Sequence, residues 1–110
     1  MSYRIELTDS FERQLKKLIK KYPSLKQEII GLKKDILENP KSGTPIGKDC
    51  YKIRIAISSK GKGRSGGGRV ITHLYVQDKV VFLLAIYDKA ERATIDAKEL
   101  EFLLSKLSSS

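Results

Sequence analysis

Eight apolar residues in unbroken succession, VVFLLAIY at residues 80–87, constrain the fold more than any other stretch of this chain. Such a run reads as a strand buried on both faces and therefore central to a sheet. Gln77-Asp78-Lys79 makes a tight connection back to a preceding strand expected over residues 69–77. Another strand is expected over residues 50–58, and the glycine-rich segment KGKGRSGGG separates the two.

Alternation assigns the side chains of these strands to faces, because neighbouring residues on a strand point to opposite sides. Tyr51, Ile53, Ile55 and Ile57 share one face, and Lys52, Arg54 and Ala56 share the other. Arg69 is in register with Ile71, His73 and Tyr75, and it falls near Arg54 if the two strands pair as a hairpin. Lys52, Arg54 and Arg69 are thus expected to converge on one face. Between Gly47 and Thr72 the cations Lys48, Lys52, Arg54, Lys60, Lys62, Arg64 and Arg69 meet a single acid, Asp49. That density of positive charge on a sheet points to a polyanion.

Ahead of the sheet, Tyr3, Ile5 and Leu7 alternate with Arg4 and Glu6, the pattern of a short first strand. Asp9 and Glu12 have capping-box spacing, and Phe11, Leu15, Leu18, Ile19 and Tyr22 follow at helical intervals until Pro23. Ser24 and Gln27 repeat the spacing before Leu25, Ile29, Leu32 and Ile36, which carry a second helix to Asn39-Pro40. Residues 41–49, with two glycines and Pro45, read as a connecting loop. Asp96 and Glu99 cap a last helix with a stripe of Leu100, Leu103, Leu104 and Leu107. The whole is one α+β domain over residues 1–110: an N-terminal strand, a two-helix hairpin, three antiparallel strands forming a small sheet, and a C-terminal helix. The order of elements suggests helices packed on one side of that sheet.

A formal charge of +9 on 110 residues attracts nucleic acid, anionic lipid or an acidic protein without choosing among them. The lysines of the two helices read as a solvated surface able to touch nucleic-acid backbone non-specifically. One cysteine, Cys50, excludes an internal disulfide, and one histidine excludes a Cys/His zinc cluster. No metal or cofactor is expected. The start, MSYRIEL, has no apolar signal core and no run approaches a membrane span, so a cytoplasmic protein with no membrane partner is expected.

The glycine segment superficially resembles a phosphate-binding loop, but it lies between two strands and leads into Arg69-Val70, where a P-loop would lead into a helix through Lys-Ser/Thr. A serine–histidine–acid constellation and a carboxylate pair are likewise lacking, which leaves cations and a tyrosine as the candidate chemistry. RNA cleavage needs no metal: the ribose 2′-hydroxyl attacks its own phosphodiester once a base takes its proton, an acid protonates the leaving 5′-oxygen, and cations stabilise the non-bridging oxygens. A lysine set among other cations is shifted toward its neutral form and is a candidate base, whereas arginine suits the phosphate. His73, alone in mid-strand, reads as structural. Cys50 reads as a small packed hydrophobe, and Tyr87 either stacks on a base or completes the core.

The order of elements, together with CYKIRIA, SGGGRVIT, VVFLLAIYDKAER and the capped last helix, resembles the RelE/ParE toxin superfamily, closest to its RelE and HigB-like branch. The similarity covers nearly the whole chain and rests on the order and spacing of these segments. It implies the toxin of a type II toxin–antitoxin module, a metal-independent, ribosome-dependent mRNA endonuclease that inhibits translation. Its partners would be mRNA on the ribosome and a cognate antitoxin encoded nearby, drawn to the basic surface through electrostatic steering. The resemblance implies that Lys52 and Arg54 are acid/base and phosphate-contact residues, Arg69 the phosphate-stabilising arginine and Lys89 or Arg92 the cation after the central strand. Lys52, Arg54 and Arg69 are thus the expected catalytic core, and Lys60, Lys62, Arg64, Tyr87, Lys89 and Arg92 the expected RNA contacts. Where RelE-type relatives carry a late tyrosine, this chain has Asp96. That departure keeps open a non-catalytic superfamily member, either a ParE-like gyrase inhibitor or a decayed toxin that only binds its antitoxin, and the basic strands by themselves keep open a plain RNA-binding module.

Overall fold

The computed structural model describes residues 2–57 and 66–107. Its elements run β1 (Arg4–Leu7), α1 (Asp9–Lys21), α2 (Leu25–Glu38), β2 (Thr44–Gly47), β3 (Cys50–Ile55), β4 (Gly68–Tyr75), β5 (Val80–Asp88) and α3 (Ala97–Leu107). Five strands form one sheet in the order β1-β5-β4-β3-β2. The pairs β2–β3, β3–β4 and β4–β5 are antiparallel, and β1 pairs parallel with β5, so the sheet is mixed.

The apolar run forms β5, which has a neighbour on each edge and cover on each face. Phe11 and Leu18 of α1 and Leu25, Ile29, Leu32 and Ile36 of α2 pack against Ile55, Val70, Leu74, Val81 and Leu83. On the other face, Leu100 and Leu103 of α3 pack against Cys50, Ile71, Leu84 and Ala85. The expectation of helices on one side therefore fails for α3. The twofold burial of β5 leaves a second apolar face, and the leucine stripe of α3 is the element that covers it.

The segment 41–49, expected as a loop, contains the edge strand β2. Pro45 is tolerated there because an edge strand has one side without ladder bonds. Lys48 and Asp49 both adopt left-handed backbone (φ 55° and 58°), the geometry of a two-residue hairpin turn into β3. Helix starts also differ in detail from the capping boxes read in the sequence. Thr8, not Asp9, caps α1 by accepting the Phe11 amide (3.2 Å), and the Ser24 side chain makes no cap bond.

Strand β5 carries one bulge. The β4–β5 register steps from Ile71↔Ala85 to Thr72↔Leu83, which leaves Leu84 as the extra residue. Leu84 and the adjacent Ala85 consequently lie in the same core cluster, on the α3 face. The Ile86 amide donates to Gln14 Oε1 (3.0 Å), and the Thr8 hydroxyl donates toward the Leu83 and Leu84 carbonyls (3.1 and 3.3 Å), so α1 satisfies the displaced backbone. Past the bulge the alternation is inverted. Ile86 turns to the α1–α2 side and Tyr87 to the α3 side, where strict alternation from Val81 and Leu83 would have put Tyr87 on the opposite face.

Candidate functional site

The β3–β4 ladder pairs Lys52 with Ile71 and Arg54 with Arg69, and the β4–β5 ladder pairs Arg69 with Tyr87. Cross-strand partners share a face, so Arg54, Arg69 and Tyr87 form one transverse row over three strands. Lys52 lies on the same face in the next row. The convergence expected from alternation is thus present, and the bulge in β5 adds Tyr87 to it.

The members of the row differ in exposure. Arg54 is exposed and Lys52 half-buried, whereas Arg69 retains 4% of its surface and donates from Nη1 to the Gly68 carbonyl (2.9 Å). Tyr87 retains 6%, and its ring is no open platform for a stacking base. The Tyr87 hydroxyl is buried without a hydrogen-bond partner among the described residues. Burial pushes the phenol pKa up, while the charges of Arg92 and Arg69 and the neighbouring Thr94 hydroxyl oppose the rise and Glu99 adds to it. Thr94 approaches that phenol without closing a hydrogen bond.

Glycine is required where β4 enters the row. A Cβ on Gly67 would meet the Ile55 carbonyl oxygen at 2.2 Å, and one on Gly68 would meet that of Tyr87 at 3.0 Å. The backbone of β4 therefore begins wedged between its neighbours, which sets Arg69 immediately after it. Lys89, an exposed cation just past β5, is tied to the same place through its amide, which donates to the Gly67 carbonyl (3.1 Å).

Arg92 lies over the Tyr87 ring with its guanidinium carbon 5.0 Å from the centroid. Its Nη1 donates to Glu99 Oε2 (3.1 Å), its Nη2 to Glu99 Oε1, and its Nε and Nη2 to the Thr94 carbonyl (3.3 and 3.2 Å). Glu99 pushes the Arg92 pKa upward, chiefly through these hydrogen bonds. At the start of α3 the Asp96 Oδ1 accepts the Glu99 amide (2.8 Å), so Asp96 caps as expected while the Glu99 carboxylate turns to Arg92. Lys60, Lys62 and Arg64 lie outside the described residues.

One buried polar group near the row, Asp88, carried no signal in the sequence. Asp88, 1% exposed at the end of β5, accepts from the Tyr22 hydroxyl (3.1 Å) and the Ala90 amide (3.0 Å). Cys50 and His73 are cross-strand partners, with Sγ 3.5 Å from Nδ1. Burial pushes the Cys50 thiol up to about 11 and the His73 pKa down, so the pair lacks the thiolate of a nucleophile. Among the described residues no group of three or more His, Cys, Asp or Glu could hold a metal ion, and no helix is long and apolar enough to cross a membrane. A broad groove beside the C-terminal half of α3, lined by Arg4, His73, Phe82, Phe102 and Lys106 among others, includes none of the row.

Together these observations define a small α+β domain with a five-stranded mixed sheet, helices on both faces and a transverse row of two arginines ending in a tyrosine. Residues 3–109 match the model of the RelE toxin of RelE/RelB toxin–antitoxin systems, and the chain belongs to that toxin family. Its fold is similar to that of an arginine-to-alanine double mutant of the Escherichia coli toxin RelE in the free state, with a TM-score of 0.63 and 20% identity over 96% of this chain and 98% of that one. The same mutant in complex with an antitoxin RelB peptide matches with a TM-score of 0.58 and 22% identity, covering 93% of each chain. The isolated E. coli RelE toxin matches with a TM-score of 0.57 and 23% identity, over 94% of this chain and 97% of that one.

Proposed function

We propose that this toxin is a metal-independent, ribosome-dependent mRNA endonuclease that inhibits translation and is held in check by a cognate antitoxin. The observation that carries the reading is the transverse row Arg54–Arg69–Tyr87 with Lys52 beside it. Such a row can hold a phosphodiester between fixed cations and offer a proton at its end. In the reaction the ribose 2′-oxygen bonds to phosphorus, the bond to the 5′-oxygen breaks, and a 2′,3′-cyclic phosphate and a 5′-hydroxyl result. We assign Lys52 as the base, Arg54 and Arg69 to the non-bridging oxygens, and Tyr87 as the acid. Burial favours the protonated phenol, which is the form an acid needs.

An antitoxin partner is supported by family membership and by the antitoxin peptide bound to the E. coli relative. A charge of +9 favours an acidic segment as that partner. The RNA-contact roles of Lys60, Lys62, Arg64, Lys89 and Arg92 are part of the same proposal.

One observation favours a second reading, a non-catalytic member that only binds its antitoxin. Asp96, standing where RelE-type relatives carry a tyrosine, is engaged in capping α3. Induced expression of wild type and Arg69→Ala, with transcript 5′ ends mapped while translation runs and while it is blocked, separates the two. Translation-dependent cuts lost in a folded Arg69→Ala protein support the nuclease. Growth arrest without cuts, or a fully toxic Arg69→Ala protein, overturns it, and no arrest at all favours the non-catalytic reading.

A further inference from the structure

Glu99 does to Arg92 what a phosphate would do. Arginine has five N–H donors in a planar fork, and four of them are engaged here: two by the Glu99 carboxylate, end-on through Nη1 and Nη2, and two by the Thr94 carbonyl through Nε and Nη2. Both edges of the fork that would clasp a phosphodiester are occupied by the chain itself. In this state the guanidinium also lies over Tyr87, whose hydroxyl is buried without a partner among the described residues. The guanidinium that the carboxylate holds is thus also the group that covers the phenol.

We infer that Glu99 is an intramolecular competitor for nucleic-acid phosphate at Arg92, so that an incoming phosphodiester displaces the carboxylate, moves Arg92 from the Tyr87 ring and uncovers the phenol. This deepens the proposed nuclease reading and rests on it for the identity of the polyanion. Because Glu99 lies in the first turn of α3, displacement acts on the docking of that helix as well. The charged groups acting on the Tyr87 phenol are Arg92 from the turn, Arg69 from β4 and Glu99 from α3.

The test measures binding, not cutting, with a short 2′-O-methyl oligoribonucleotide that has no free 2′-hydroxyl to attack. Glu99→Gln, nearly isosteric, is expected to tighten binding about two- to fivefold, the fold-change equivalent of a partly exposed ion pair. Glu99→Ala, which keeps no acceptor for Arg92, should do the same, with thermal melting confirming the fold of each variant. Glu101→Gln controls for a general gain of one positive charge, since Glu101 pairs with Lys48 (3.2 Å) away from the row. The inference requires that Glu101→Gln gain less and that Glu99→Gln gain nothing in an Arg92→Gln background. Equal gains at Glu99 and Glu101, a gain that survives loss of Arg92, weaker binding by Glu99→Gln, or no binding by any variant would overturn it. Failure of the nuclease reading shows separately, as absent translation-dependent cuts in cells with the binding pattern intact.

Discussion

Arg54 and Arg69 stand directly opposite each other across the β3–β4 ladder, two like charges in one cross-strand pair. Like charges so placed destabilise a sheet by roughly 0.2–1 kcal/mol, a cost that a phosphate lying between them, as proposed above, would offset. Arg54→Gln should therefore raise stability by that amount in urea denaturation. It should also weaken oligonucleotide binding and flatten its dependence on salt, by about 0.7 in the log–log slope for each phosphate no longer neutralised. A variant that is less stable and binds with an unchanged slope would remove Arg54 from the site.

Gly67 and Gly31 make opposite predictions from the same substitution. Alanine at Gly67 puts its Cβ 2.2 Å from the Ile55 carbonyl oxygen, a backbone atom that moves only if β3 does. We expect a loss of about 1–3 kcal/mol, as for overpacking elsewhere, together with loss of the activity that depends on Arg69 two residues on. Gly31, exposed in the middle of α2 with nothing within 4 Å of where a Cβ would stand, should gain about 0.5–1 kcal/mol on becoming alanine. Chemical denaturation of the two variants side by side checks both signs.

Much of this site could be read before the fold was known, because alternation alone aligns Lys52 with Arg54 and hairpin pairing brings Arg69 opposite. Three features could not. Strand β2 was hidden by Pro45 and two glycines, residues that mean a loop unless the strand is an edge whose turn can hold Lys48 and Asp49 in left-handed backbone. The bulge at Leu84 leaves no mark within a uniformly apolar run, yet it decides which face Tyr87 occupies. Glu99 has the spacing of a capping residue, and only the position of Arg92 shows that its carboxylate is used elsewhere. The placement of α3 was within reach, since a strand apolar on both faces already demands cover on both.

The pair Cys50 and His73 predicts a loss of stability at both ends of the pH range. Burial holds the folded His73 pKa below the ordinary 6.5, so the unfolded chain binds more protons as pH falls through 6.5. The stability this contributes is full above that value and declines from there down to the folded pKa. Burial, reinforced by Asp49, raises the Cys50 thiol from 9.0 to about 11, so the folded chain holds the proton longer. That contribution is full below 9.0 and is lost as pH rises toward 11. Urea midpoints measured across pH should fall on both sides, with His73→Gln flattening the acid limb and Cys50→Ala the alkaline one. Thiol reagents at neutral pH should label native Cys50 only as fast as the protein opens. Rapid labelling under native conditions would contradict the burial.

Tyr22 connects the end of α1 to the turn that follows β5, and its loss should be felt at both. Its hydroxyl donates to Asp88 Oδ2 (3.1 Å), while Asp88 Oδ1 accepts the Ala90 amide and the Asp88 carbonyl accepts those of Glu91 and Arg92. Tyr22→Phe keeps the ring in the core and deletes one hydrogen bond to a carboxyl that is 1% exposed. Leaving a buried acceptor short costs about 1–3 kcal/mol, and that is the expected loss. Tyr3→Phe, also against the α1–α2 core, removes a hydroxyl with no such buried partner among the described residues and should stay within about 0.5 kcal/mol of wild type. Because Asp88 organises the turn bearing Lys89 and Arg92, amide exchange at Ala90 and Arg92 should quicken in Tyr22→Phe beyond what the global loss explains. Equal stability of the two variants, with unchanged exchange in the turn, would mean that Asp88 is held by its other contacts alone.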